Sequence, residues 1–421
     1  YKITKTIKMN TTIFTTSHYG NNYYLDLKKR LVGYAHPILS FVDNYLKQHG
    51  TLANIPDAVD IDGLGRVNKE TINYYIKKHN FLSQHGLNIN NKKGEIFDGA
   101  LTSDMINYEI ANLSQLTFEV TDSCNLNCKY CGYNDFYNDY DKRENNKLSF
   151  DVAKRVIDYI VGKWNSPLNS SYKGVSYISF YGGEPLLCIP LIKKIIEYIN
   201  SLEINRKIIF SMTSNGLLIN KYEKFLVDNN IKLLISLDGN EYNNSYRVSH
   251  SGNPSFKKIF KNAKHLSTEY PEYFKDSVSF NSVLHNRNSV EDIFYFFGRE
   301  FKKTPTIIEL NTSGIQEGKR KEFLQLYKNL REDLNQSEHY DEIVNELLVN
   351  SPDMRSLAIF MRQHSGVFFS SYVDLFNEPD KDLSIPTGTC LPFAKKMFII
   401  VNGKILPCER IGHRFSLGTV T

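Results

Sequence analysis

Three cysteines at C-x3-C-x2-C spacing, Cys124, Cys128 and Cys131, constrain this chain more than any other feature. They sit on a short loop that follows an apolar, strand-like run over 116–121. Half of the chain's six cysteines lie within these eight residues. Clustered thiols are soft ligands for zinc or for iron–sulfur clusters. A closed zinc site takes four protein ligands, whereas three on one tight loop leave a metal corner open. In a 4Fe–4S cluster held this way one iron is free to bind a substrate or cofactor. A structural zinc knuckle is the competing reading.

From residue 116 onward, strand-like and helical stretches alternate. Strands are predicted over 116–121, 175–181, 207–213, 232–237, 278–284 and 306–311. Helices are predicted over 150–162, 189–201, 221–229, 256–268, 290–297 and 319–335. Six β-α units in succession predict a parallel sheet with right-handed crossovers, curling into a partial barrel. Active sites in such sheets lie at the C-terminal strand ends. The cysteine loop follows the first strand and so falls on that face.

Other strand ends on the same face carry polar residues. The second strand runs into Tyr181-Gly182-Gly183-Glu184-Pro185, where two glycines allow the backbone to approach a ligand and Glu184 offers a carboxylate beside the gap. Thr213-Ser214-Asn215-Gly216 follows the third strand, and Ser236-Leu237-Asp238-Gly239 closes the fourth, with Arg247 shortly after. Each also reads as plain turn chemistry. Asn281 and Asn311, at the fifth and sixth strands, are further candidates, and Cys188 reads as a buried, inert thiol.

The cysteine loop, with an aromatic residue, Tyr130, ahead of its third cysteine, resembles the signature of the radical SAM superfamily. The resemblance implies a 4Fe–4S cluster on Cys124, Cys128 and Cys131 that binds S-adenosylmethionine through its open iron. It implies that Gly182, Gly183, Glu184 and Pro185 hold the cofactor's amino group. Asn215, Ser236 and Arg247 lie in two segments that match cofactor-binding segments of the family, and the second, Ser236 with Arg247, often contacts the cofactor's ribose and carboxylate. One electron then cleaves the cofactor to methionine and a 5′-deoxyadenosyl radical, which abstracts a substrate hydrogen. No residue is singled out as a catalytic acid, base or hydrogen donor.

Near the end, Cys390, Gly403 and Cys408 stand at C-x12-G-x4-C spacing, with two strands predicted around the turn dipeptide Asn402-Gly403. This resembles the opening of the SPASM extension, which implies one or two auxiliary 4Fe–4S clusters on Cys390 and Cys408. The further cysteines usual there do not follow, so the chain is expected to be cut short within that extension. Tyr1 is not an initiator, so the start is expected to be missing as well.

Residues 1–94 read as a small α+β module, with strands near 11–16 and 23–27, a helix from Pro37 and another capped by Asn68. The order of elements resembles winged-helix domains that capture leader peptides by strand addition. Residues 88–94 are the expected linker. The expected domains are thus 1–94 (winged-helix-like), 110–335 (partial barrel), 336–382 (helical bridge) and 383–421 (SPASM-like). The fold class is α/β, a partial (β/α)6 TIM-like barrel with those two additions.

Composition excludes several classes. The 421 residues carry 41% hydrophobic residues and a formal net charge of only +5, so no nucleic-acid partner is expected. No long apolar run argues for a membrane span, and residues 1–9 lack the apolar core of a signal peptide. Six cysteines in so long a chain are not a disulfide framework, and a cytoplasmic location is expected. The functional expectation is a maturase of ribosomally made peptides, similar to the Bacteroidales double-glycine-leader group. It takes a precursor peptide with its leader and a flavodoxin- or ferredoxin-type reductant, and it forms a thioether or carbon–carbon crosslink. The alternatives are an anaerobic sulfatase-maturing, formylglycine-generating enzyme and a non-enzymatic iron–sulfur peptide binder or electron relay.

Overall fold

In the computed structural model the described residues are 12–16, 21–26, 31–61, 63–85, 102–170, 174–347, 352, 354 and 392–420. They fall into two units, one ending at His85 and one beginning at Thr102. The expected linker at 88–94 and Cys390 lie outside the described residues.

In the first unit, β1 (Thr12–Thr16), β2 (Asn22–Asp26) and β3 (Leu31–Tyr34) form an antiparallel sheet in sequence order. α1 (Pro37–His49) starts at a proline, whose missing N–H costs nothing in a first turn, and stops at Gly50 in the left-handed region. A hairpin that the sequence pattern did not predict, β4 (Ala58–Ile61) with β5 (Gly65–Asn68), leads into α2 (Lys69–His85). Asn68 caps α2 by accepting from the Thr71 N–H at 3.0 Å. Ile38 and Val42 of α1 pack on Val67 and Ile72.

The second unit begins with α3 (Ser103–Ala111), which was not anticipated, and β6 (Gln115–Thr121). α4 (Phe150–Trp164), β7 (Val175–Gly182), α5 (Ile189–Asn200), β8 (Lys207–Ser214), α6 (Ile219–Asp228) and β9 (Lys232–Ser236) continue in strict alternation. Then come α7 (Phe256–Glu269), the unanticipated α8 (Pro271–Ser277), β10 (Val278–Leu284), α9 (Val290–Phe301) and β11 (Thr306–Glu309). β6 to β11 pair as parallel neighbours in sequence order, as six β-α units require. The helices cover the sheet with apolar stripes. α4 turns Ala153, Val156, Ile157, Ile160 and Trp164 inward at helical spacing, and α5 does so with Leu191, Ile192, Ile195, Ile196 and Ile199.

The helix expected over 319–335 is broken. α10 (Arg320–Leu326) and α11 (Leu330–Asn335) are separated by an extended Tyr327. Glu309 at the end of β11 accepts from the Tyr327 hydroxyl at 2.9 Å and from the Leu330 N–H at 2.7 Å, while Asn329 caps α11. Local capping and a tertiary carboxylate outweigh the continuous helical pattern. α12 (Tyr340–Leu347) comes next.

The predicted C-terminal hairpin forms as β12 (Lys396–Ile399) and β13 (Lys404–Leu406). β12 pairs in parallel with β6, and β14 (Gly418–Thr419) pairs with β13. The sheet order among the described residues is therefore β11-β10-β9-β8-β7-β6-β12-β13-β14. The hairpin lies along the edge of the very strand that leads into the cysteine loop.

Candidate active site

The cysteine loop leaves β6 just after a bulge, where the register against β7 shifts between Glu119 and Thr121. A bulge bends a strand and re-aims the residues beyond it. The loop is then tied down by its own backbone. The Cys131 N–H donates to the Cys128 carbonyl at 3.1 Å. The Asn127 and Lys129 N–H groups donate to the carbonyls of Val248 and Tyr246, on either side of Arg247, at 2.7 and 3.1 Å. His250 Nε2 donates to the Cys124 carbonyl at 2.9 Å.

Gly182 and Gly183 bring the end of β7 against this loop. Gly183 and Glu184 donate their N–H groups to the carbonyls of Thr121 and Ser123, both at 2.8 Å. A Cβ on either glycine would run into those carbonyls. The close approach expected toward a ligand is thus made to the protein's own loop. Pro185 opens a short 3-10 turn, Pro185–Cys188, capped by the Glu184 side chain. Cys188 is buried in the apolar core, as expected of an inert thiol.

Glu184 is fully buried. Its Oε1 accepts from the Ser214 hydroxyl at 2.8 Å and the Leu186 N–H at 3.1 Å, and its Oε2 from the Asn215 N–H at 2.7 Å. Burial pushes its carboxyl up to about 7 despite these donors. Oε2 keeps one acceptor direction uncommitted. Asn215 faces the loop, with Nδ2 donating to Asn125 Oδ1 at 2.7 Å and lying 3.7 Å from Cys124 Sγ. Glu184, Asn215 and the cysteine loop therefore form one assembly.

Arg247 stands otherwise than expected. Its guanidinium fork is taken by Asp238, Nε to Oδ2 and Nη2 to Oδ1, both at 3.0 Å, and both side chains are buried. The bidentate geometry expected for a cofactor carboxylate is spent on a protein carboxylate. Asp238 also accepts from the Tyr130 hydroxyl and from the Val283 N–H at 3.0 Å. Burial alone would raise the Asp238 carboxyl, but Arg247 and His285 outweigh it and hold it well below the usual carboxylate range. Tyr130 is thus buried in a polar network beneath the loop. Ser236 ends β9, opposite Asn281 of β10. The Asn311 carbonyl accepts from the Tyr137 hydroxyl at 2.8 Å.

Several residues that no motif marked also meet here. Glu119, buried in β6, accepts from the Tyr133 hydroxyl and from the Val401 N–H at 3.0 Å, joining the loop to the C-terminal hairpin. Burial pushes its carboxyl up to about 7. A lone acidic residue inside an apolar strand was the signal available for it. The Arg143 guanidinium lies 4.4 Å from the centre of the Tyr133 ring, with Nη2 3.4 Å from Cys131 Sγ. A cavity of about 420 Å³ opens beside them, lined among others by Glu119, Asp122, Tyr133, Asp141 and His413. Cys408 lies just beyond β13, next to Glu409, whose carbonyl accepts from the Tyr140 hydroxyl at 3.2 Å.

The donor chemistry of the loop fits a cluster. None of the three thiols is in a disulfide, and all three are part-buried. Burial pushes the Cys124 thiol up and the Cys128 thiol up to about 12, a cost that metal ligation removes. Among the described residues no three His, Cys, Asp or Glu converge as on a single metal ion.

An α/β protein with a parallel sheet, and with a cluster-type thiol loop at the end of its first strand, is the class that fold and site define. Residues 118–296 match the model of the radical SAM superfamily. That family implies a 4Fe–4S cluster and S-adenosylmethionine. Over 235 residues the chain is 28% identical to the radical SAM cyclopropyl synthase TigE of Paramaledivibacter caminithermalis, covering 54% of this chain and 44% of that one. It is also 28% identical over 194 residues to a cysteine-type anaerobic sulfatase-maturating enzyme of Clostridium novyi, covering 45% and 49%. The chain spans about half the length of these curated relatives. A solved structure of native anSMEcpe with bound AdoMet has a TM-score of 0.49 at 21% identity, covering 73% of this chain and 78% of that one.

Proposed function

We propose that this chain is a radical SAM enzyme that modifies a ribosomally made precursor peptide, forming a thioether or carbon–carbon crosslink. The observation that carries this reading is the joining of the three-thiol loop to the buried Glu184–Asn215 pair at the C-terminal strand ends. Cys124, Cys128 and Cys131 would hold the cluster, and Glu184 and Asn215 would lie against the cofactor's polar end. The bound cluster supplies the electron that cleaves S-adenosylmethionine to a 5′-deoxyadenosyl radical. Burial of the Tyr130, Asp238 and Arg247 network keeps the loop rigid and water out beneath it. The sulfatase-maturating relative is named for action on a protein, which supports a macromolecular substrate.

In this reading the first unit captures the leader as an added strand on the β1-β2-β3 sheet, in the manner of a winged-helix recognition domain. Cys408 with Cys390 would hold an auxiliary cluster. The reductant would be a flavodoxin or ferredoxin type, and the setting the cytoplasm. No described helix is long and apolar enough to cross a membrane.

The test is anaerobic reconstitution with iron and sulfide, then S-adenosylmethionine, reductant and the precursor peptide encoded beside the gene. The expected result is 5′-deoxyadenosine together with a peptide lighter by two hydrogens. 5′-Deoxyadenosine without any change in the peptide, or formylglycine on a sulfatase-derived peptide, would overturn the peptide-crosslinking reading. Absence of 5′-deoxyadenosine would overturn the enzyme reading itself.

A further inference from the structure

Arg143 belongs to no motif, yet its guanidinium touches the cysteine loop. Its Nη2 donates toward Cys131 Sγ at 3.4 Å. Two features hold it there. Its guanidinium lies 4.4 Å from the centre of the Tyr133 ring, within cation–π range. The Tyr133 hydroxyl is anchored on Glu119 of β6. Among the described residues Arg143 forms no salt bridge, and its buried Nε has no hydrogen-bond partner. Its charge is therefore not cancelled by a carboxylate at contact distance, and a half-buried charge is poorly screened by solvent.

We propose that Arg143 is a positioning residue that sets the reduction potential of the cluster on Cys124, Cys128 and Cys131. The inference rests on the cluster assigned under Proposed function. Accepting one electron makes a cluster one unit more negative. A fixed cation and a hydrogen bond at a ligand sulfur both stabilise that reduced form and raise its potential. Glu119, Tyr133 and Arg143 then act in series. The strand holds the ring, the ring holds the guanidinium, and the guanidinium meets the sulfur. Arg143 itself touches neither substrate nor reacting carbon.

The test is a redox titration of the reconstituted full chain, tracked by the electron paramagnetic resonance signal of the reduced cluster, with iron and sulfide counted per chain. Arg143→Gln keeps a donor and removes the charge. It is expected to hold a full cluster and to need a lower potential. At the wild-type midpoint its ratio of reduced to oxidised cluster should fall about tenfold, a shift of about 59 mV for one electron. Arg143→Lys, which keeps the charge, should recover most of that shift. Equal midpoints for wild type and Arg143→Gln, each with a full cluster, would overturn the proposal. If Arg143→Gln fails to load, Tyr133→Leu replaces it, since that change unseats the guanidinium but leaves the charge. A smaller shift to lower potential is then expected, and an unmoved midpoint overturns the proposal. A wild-type chain that takes up no four-iron cluster would instead sink the underlying assignment, which the iron count reveals separately.

Discussion

The hydroxyl of Tyr130 donates to the carboxylate of Asp238, 108 residues further along the chain. One residue before the last cysteine of the loop, the chain is thereby tied to the end of the fourth parallel strand. Asp238 in turn holds the Arg247 fork, and the carbonyls flanking Arg247 hold the loop backbone. The loop is clasped from below by a buried ion pair and by main-chain bonds on either side of it.

This clasp predicts an ordered pair of losses. Tyr130→Phe removes one hydrogen bond to a charged group, worth about 1.5–3 kcal/mol. Asp238→Ala leaves Arg247 buried without its counter-ion, which costs about 3–5 kcal/mol. Denaturant unfolding of both variants measures the difference. A loss from Asp238→Ala no larger than that from Tyr130→Phe would show that the pair does not hold the site.

The glycines separate backbone docking from helix propensity. Gly183→Ala places a Cβ against the Ser123 carbonyl, and overpacking of this kind costs about 1–3 kcal/mol or more. It should also reduce cluster loading, because Ser123 leads directly into Cys124. Gly162→Ala, on the exposed side of α4 with open space around it, should instead stabilise by about 1 kcal/mol. Melting temperatures and iron content of the two variants check the contrast.

Glu119 predicts a pH effect. Burial raises its carboxyl from the ordinary value of 4.5 to about 7. Between those values the folded chain binds more protons than the unfolded chain. The group therefore lowers stability as pH rises through this window, and its effect levels off above about 7. Glu119→Gln carries no such proton. Relative to wild type, the variant should gain on the order of 3 kcal/mol between about pH 4.5 and about pH 7.5. A stability difference that stays constant across that range would place the Glu119 pKa near its ordinary value.

Glu184→Gln keeps the size of the side chain and removes its charge. If Oε2 accepts from the cofactor's ammonium group, the variant loses a charge-assisted bond of about 1.5–3 kcal/mol, or roughly 10- to 150-fold in S-adenosylmethionine affinity. Calorimetry on the cluster-loaded chain measures it. Unchanged affinity would leave Glu184 as the cap of the Pro185–Cys188 turn and the anchor of Asn215, and nothing more.

Much of this arrangement was legible in the residues alone. Strands β6 to β10 stand within a residue or two of their expected bounds, because two-faced burial writes continuous apolar runs. The three-cysteine loop and the Gly182-Gly183-Glu184 stretch were legible for a local reason. Metal-binding spacing and glycine requirements are set within a few consecutive residues. The capping of α2 by Asn68 is local in the same way.

What the residues in order could not supply was which side chain answers which across the sheet. Arg247 was expected to hold a ligand carboxylate, and it holds Asp238, since a bidentate fork takes the nearest buried carboxylate whatever its source. The helix expected over 319–335 breaks because Glu309, from a different element, captures Leu330 and Tyr327. Arg143 meets Cys131 with its guanidinium on the ring of Tyr133, which Glu119 anchors. The sequence by itself determined the parallel sheet and the thiol loop, whose signals are periodicity and spacing. The polar network that clasps that loop was decided by tertiary packing, because a buried charge takes its partner from whatever the fold brings within reach.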